Sequence, residues 1–171
     1  MLKLTSSAIN AENKMDVFYG CNGPEENMKY GIPQVSFPLE WKGAPAGTNS
    51  FAIIFIDYDN AEDEGVPWIH WLVSDIPGYV TGIPKNASRT EGFYPQGRSS
   101  WATRLGEYAN IPIEYSFYFG GPAPNREHAY EIWLYALDCK PGLKDGFWIN
   151  DLRKSMKGHV LEKTCLIGLY G

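Results

Sequence analysis

The sequence predicts a mainly β protein, a sandwich with long loops and one or two peripheral helices. Three observations point there. Short runs rich in Ile, Phe, Trp and Tyr recur along the chain, separated by Gly- and Pro-containing stretches. Aromatics make up 15% of the 171 residues, with six Trp and eleven Tyr, and such residues favour strands and pocket walls. One segment alone carries helical start and stop signals. No repeat, low-complexity tract or linker divides the chain, so residues 1–171 read as a single domain, long enough to bury a core.

The strongest strand is SFAIIFIDYD, residues 50–59, whose unbroken apolar run suits a strand covered on both faces. At period two, Phe51, Ile53, Phe55, Asp57 and Asp59 share one face, which places two carboxylates at the exit of an apolar stripe. An acidic loop, NAEDEGVP, follows. WIHWLVSDI, residues 68–76, is the next strand, with Trp68, His70 and Leu72 on one face and Ile69, Trp71 and Val73 on the other. Residues 77–112 read as a long aromatic-containing loop that also holds Arg89, Arg98 and Arg104; loops of this length in a compact domain are often functional. IEYSFYF, residues 113–119, is predicted as a strand that GGPAPN ends. HAYEIWLYALD, residues 128–138, is a long strand with His128, Tyr130, Ile132 and Leu134 on one face. NDLRKSMKG is the helix, capped by Asn150 and ended by Gly158, with Leu152 and Met156 packing inward. CLIGLY is a short last strand.

The net charge of −5 and the scattered Lys and Arg exclude a nucleic-acid footprint or a basic membrane-surface patch. No apolar run approaches the roughly 18 residues of a membrane span. Three cysteines, Cys21, Cys139 and Cys165, without CxxC spacing argue against a disulfide framework or a structural zinc site. The first sixteen residues lack a signal-peptide apolar core. A cytoplasmic protein is expected.

Three polar clusters lie at strand ends on otherwise apolar faces: Asp57 with Asp59, His70, and His128 with Tyr130. Taken singly, each has an ordinary explanation. A strand histidine is a core residue with one satisfied bond, paired Asp residues close a turn, and His159 covers a helix end. Together, two imidazoles, a phenol and a carboxylate would suit a small anion, and a turn at Gly120-Gly121 could add free backbone N–H groups. Asp57 would orient one imidazole and favour its protonated form, so that phosphate affinity would rise below about pH 6.5. Two His plus Asp are also metal-ligand types, but no HxH, HxxxH or HExxH spacing occurs; GxSxG and phosphate-binding Gly loops are absent too. No metal, cofactor or catalysis is expected.

Five stretches, in order, resemble the phosphatidylethanolamine-binding protein family, and its bacterial Raf kinase inhibitor-like branch in particular. They are IPQVSFPLEWKGAPAGTNSFAIIF, DYDNA, PWIHWLVSDIP, GGPAPNREHAYEIWLYALD and MKGHVLEKTCLIGLY. The resemblance implies a large antiparallel sheet packed on a smaller one, and a small cavity for phosphate or a phospholipid head group. Carried over by motif, that cavity would be lined by Asp57, Trp68, His70, Gly121, Pro122, His128 and Tyr130. It also implies a possible homodimer and, as an alternative function, inhibition of a kinase or protease through protein contacts; a hydrolase or metal enzyme is a third reading. The sequence departs from the family pattern at Gln34 and Phe37, at Tyr58 and Asn60-Ala61-Glu62, at Asn125-Arg126-Glu127, and over GRSSWATRLGEYANIP, residues 97–112. The cover of the cavity is therefore where this chain goes its own way.

Overall fold

The computed structural model describes residues 1–90, 92–104 and 106–171. Among the described residues nine strands run in chain order: β1 Lys3–Thr5, β2 Met28–Lys29, β3 Ile32–Pro33, β4 Leu39–Lys42, β5 Ser50–Asp57, β6 Trp68–Pro77, β7 Gly82–Ile83, β8 His128–Leu137 and β9 Val160–Tyr170; two α-helices, α1 Asn60–Glu64 and α2 Ile149–Met156, flank them. The large sheet has the order β6-β5-β8-β9 and the smaller one the order β1-β4-β7, with every pairing antiparallel; β2 and β3 form a separate ribbon. The chain is mainly β, as its sequence predicts.

The main core fills the space between the two sheets. Leu4, Leu39, Trp41 and Ile83 from the small sheet meet Phe51, Ile53, Phe55, Ile132 and Leu134 from the large one. On the other face of the large sheet, Ala52, Ile54, Ile56 and Leu72 pack against Phe147, Leu152 and Met156. Every residue of β5 is buried, which is why this strand reads as an unbroken apolar run rather than an alternating one.

The β6 strand departs from simple alternation. Phe55 pairs with Trp71 and Ile56 with Ile69, so His70 is an extra residue in the ladder, a β-bulge. A second irregularity falls between Ile76 and Val73, beside Asp75 in the left-handed region at φ 59°. The first bulge reverses the expected facing. Trp71 and Val73 join the inter-sheet core, Ile69 and Leu72 turn to the helix side, and His70 packs on Phe55 and Tyr130 of the inter-sheet side. Trp71 therefore shares a side with His70, against the strict period-two expectation.

Four further expectations are corrected. The acidic loop after β5 is the short helix α1, stopped by Gly65 at φ 79°; Asp57 Oδ1 accepts the Asn60 N–H at its start. Residues 113–119 are not a strand: Ile113–Phe117 form a 3₁₀ turn, entered from Pro112 and closed by Ser116 Oγ donating to the Ile113 carbonyl. Helix α2 begins two residues earlier than expected, with Trp148 rather than Asn150 at the cap position. Asp151, not Asn150, supplies the cap contact by accepting the Trp148 N–H; Leu152 and Met156 are buried as predicted. The last strand is eleven residues rather than six.

The long segment after β6 holds short 3₁₀ turns and runs along the outer edge of that strand. Ser74 N donates to Pro95 O, Gly97 N to Leu72 O, and Ile69 N to Ser100 Oγ. It thus covers a sheet edge that would otherwise be open for pairing.

Candidate ligand-binding site

The ends of β5, β6 and β8 meet at one corner of the large sheet, because Asp57 is in register with both Trp68 and Tyr130. A cavity of about 40 Å³ lies there, lined by Asp57, Asn60, Glu64, Trp68, His70, Trp101, Tyr108, Ala123, Pro124 and Tyr130. A single water occupies roughly 30 Å³, so this space admits the tip of a ligand and not a whole lipid. A larger open groove of about 600 Å³ runs over the small sheet, but its Lys3, Glu40 and Lys42 are exposed. Buried titratable groups gather at the smaller cavity instead.

His70 is fixed twice by Gly120. The bulge releases the His70 carbonyl from the ladder, and Gly120 N donates to it at 3.1 Å. The ring Nδ1 lies 2.8 Å from the Gly120 carbonyl. A carbonyl only accepts, so Nδ1 carries the proton and Nε2 keeps a lone pair. Nε2 is buried and has no hydrogen-bond partner. Burial lowers the pKa of this imidazole to about 4, outweighing the Gly120 carbonyl and the Asp57 charge, which act the other way. His70 is therefore a neutral acceptor at physiological pH. For His70 this departs from the imidazolium form expected from the sequence; the imidazole that Asp57 orients is that of His128.

His128 sits behind Asp57 rather than in the cavity wall. Its Nδ1 is 2.7 Å from Asp57 Oδ2, with both side chains buried. Its Nε2 lies 2.9 Å from Asp63 Oδ2 but without hydrogen-bond alignment. Asp63 belongs to α1, which Arg126 ties down through Glu62 at 2.9 Å. Asp59 is used locally: its Oδ2 accepts the Ala129 N–H. The Tyr130 phenol is held protonated, its pKa raised by burial and then by the Asp57 charge.

Of the seven residues the sequence singled out, Asp57, Trp68, His70 and Tyr130 line the cavity together. Gly121 and Pro122 are not among the residues that line it. The Gly120 and Gly121 N–H groups donate to His70 O and Pro33 O, so neither is free for an anion as the turn had suggested. Gly121 is needed for close approach instead: a Cβ there would overlap the Tyr19 carbonyl. Sequence reasoning missed Asn60, Glu64, Trp101, Tyr108, Ala123 and Pro124. Trp101 and Tyr108 come from the aromatic-rich long segment and pack on Trp68 at ring distances of 5.1 and 5.3 Å. Aromatic residues inside a polar loop were the available signal.

Two packed sheets with a small, half-open cavity at one corner make a binding-protein fold. Residues 5–171 match the family described as phosphatidylethanolamine-binding protein, and the chain belongs to that family. It is 36% identical over 149 residues to YxkA of Bacillus subtilis, covering 86% of this chain and 88% of that one. It is 31% identical to a UPF0098 protein of Methanothermobacter thermautotrophicus, covering 99% and 98%. Among solved structures, CT736 of Chlamydia trachomatis superposes with a TM-score of 0.77 at 25% identity, covering 99% of this chain and 97% of that one. YbcL of Escherichia coli superposes at 0.75 with the same coverage and 23% identity, a likeness of fold.

Proposed function

We propose that residues 1–171 act as one ligand-binding domain whose cavity takes a phosphoryl group that brings its own proton, as a free phosphomonoester or phosphate monoanion does. The observation that carries this is the buried, unpartnered Nε2 of His70, in the same wall as the Asp57 carboxylate. Two acceptors call for a donor on the ligand, since an unmet buried polar atom is costly. The indole N–H groups of Trp68 and Trp101 are also buried without partners, and they suit the remaining phosphoryl oxygens. No Lys or Arg lines the cavity among the described residues, while Glu64 does. A dianion is thereby disfavoured, and an ammonium-bearing head group such as phosphoethanolamine fits the acidic rim. The three cysteines are free thiols, which fits the reducing cytoplasm.

The test is calorimetry with phosphoethanolamine and with its glycerol diester. A phosphomonoester gains its O–H near pH 6, so monoester affinity should rise as pH falls from about 8 to about 5. The diester has no such proton and should stay flat. Loss of binding in His70→Ala is expected. Monoester affinity that is flat or falls on acidification, or equal binding by His70→Ala, overturns the reading.

A further inference from the structure

At the far end of β8 from the cavity, three side chains of different ligand chemistry converge. Asp138 and Cys139 follow the strand directly, and His159 stands just before β9, which pairs with it. Eight residue steps lead from Tyr130 to Asp138, about 27 Å at 3.4 Å per step, so this cluster is independent of the ligand cavity. One carboxylate oxygen, the Cys139 sulfur and one imidazole nitrogen all lie within 4.8 Å of one another. We propose that Asp138, Cys139 and His159 form a binding site for a zinc-like divalent transition metal ion, with water in the fourth place.

The backbone sets the cluster in place. Asp138 N donates to His159 O at 3.1 Å, and Ser50 Oγ donates to the Cys139 carbonyl at 2.5 Å. The free thiol of Cys139 is partly buried, while Asp138 and His159 are about half exposed, with side-chain exposures of 45% and 48%. An ion can therefore reach the ligands, and the two exposed ones can adjust. The His159 ring Nδ1 now lies 2.8 Å from Asp138 Oδ1. With metal–nitrogen and metal–oxygen bonds of about 2.0–2.2 Å at tetrahedral angles, the two atoms need only part to roughly 3.4 Å. The thiolate, imidazole and carboxylate set is that of a zinc or cobalt ion and not of calcium or magnesium, which take oxygen ligands. Asp75 does not complete the set, since its carboxylate already accepts the Gly142 and Leu143 N–H groups and the Ser74 hydroxyl. On binding, the Cys139 S–H proton leaves to solvent as the metal–sulfur bond forms. The imidazole presents an unprotonated Nδ1 to the ion, so binding releases at least the thiol proton.

The experiment adds zinc, then cobalt, to the untagged full chain. One zinc per chain is expected, and the cobalt form should show a thiolate-to-metal charge-transfer band. Cys139→Ser should abolish that band, and both Cys139→Ser and His159→Ala should weaken zinc binding at least about tenfold. Cys21→Ser and Cys165→Ser should leave both unchanged. His159 is exposed, so its variant keeps the fold, which circular dichroism checks. Absence of saturable uptake, a cobalt spectrum without the sulfur band, or zinc affinity unchanged in Cys139→Ser would each overturn the site.

Discussion

His128 Nδ1 donates to Asp57 Oδ2 across 2.7 Å, with the imidazole 1% and the carboxylate 3% exposed. This pair joins the first residue of β8 to the last of β5, and it fixes the carboxylate that faces the ligand cavity. Removing His128 leaves the buried Asp57 carboxylate with only the Asn60 N–H as a partner. His128→Ala should therefore destabilise the fold by about 3–5 kcal/mol, whereas Asp57→Asn, which keeps an oxygen acceptor, should cost less. Urea unfolding at neutral pH measures both. Equal and small losses would show that the pair contributes little.

The depressed pKa of His70 makes stability depend on pH in a defined window. Between about pH 6.5 and its folded value of about 4, the unfolded state binds the proton and the folded state does not. Stability from this group is complete above pH 6.5 and is lost as pH falls through that window, by roughly 3 kcal/mol in all. Subtracting the unfolding profile of His70→Asn from that of the unmodified chain isolates the effect. A difference that is level from pH 7 to pH 4 would contradict a neutral, buried ring.

How much of this could be read from the residues follows from the periods they obey. The β5 strand was legible because its two covered faces produce an unbroken apolar run, and the inward face of β8 because it alternates cleanly from Tyr130 to Leu134. The bulge at His70 was not legible: an extra residue leaves the composition unchanged while turning Trp71 to the other face. Residues 113–117 looked like a strand because aromatics suit strands, yet the Pro112 entry and the Ser116 to Ile113 contact close a turn there. The convergence of Asp57, Trp68, His70 and Tyr130 depends on strand register, which a single sequence suggested only through its family resemblance. The choice of His70 tautomer depends on the Gly120 carbonyl, a contact across fifty residues.

Gly120 lies where there is no space for a larger residue. A Cβ at this position would overlap the Trp101 indole nitrogen, and Trp101 lines the cavity. Gly120→Ala keeps the backbone groups that hold His70, so it tests packing separately from hydrogen bonding. Displacement of Trp101 should cost about 1–3 kcal/mol and weaken phosphomonoester binding. Trp fluorescence and calorimetry on the same variant measure the two effects. Unchanged stability with unchanged affinity would mean that Trp101 moves aside freely and does not shape the site.

Gln96 anchors the long segment after β6 to the core. Its Oε1 accepts from Trp71 Nε1 and from Ser88 Oγ, both at 2.7 Å, and its Nε2 donates to the Ser88 carbonyl at 3.0 Å. Ser88 Oγ in turn accepts the Phe119 N–H at 2.8 Å. One buried amide therefore holds together the β6 core tryptophan, the start of the covering segment and the residue next to Gly120. Gln96→Leu fills a similar volume but leaves the Trp71 indole N–H and the Ser88 carbonyl unmet, a loss of about 1–3 kcal/mol for each group. It should also loosen the segment that carries Trp101 and Tyr108, so amide exchange there should speed up more than in β5. Exchange that accelerates uniformly over the chain would show that Gln96 supports global stability alone, and not the cover of the cavity.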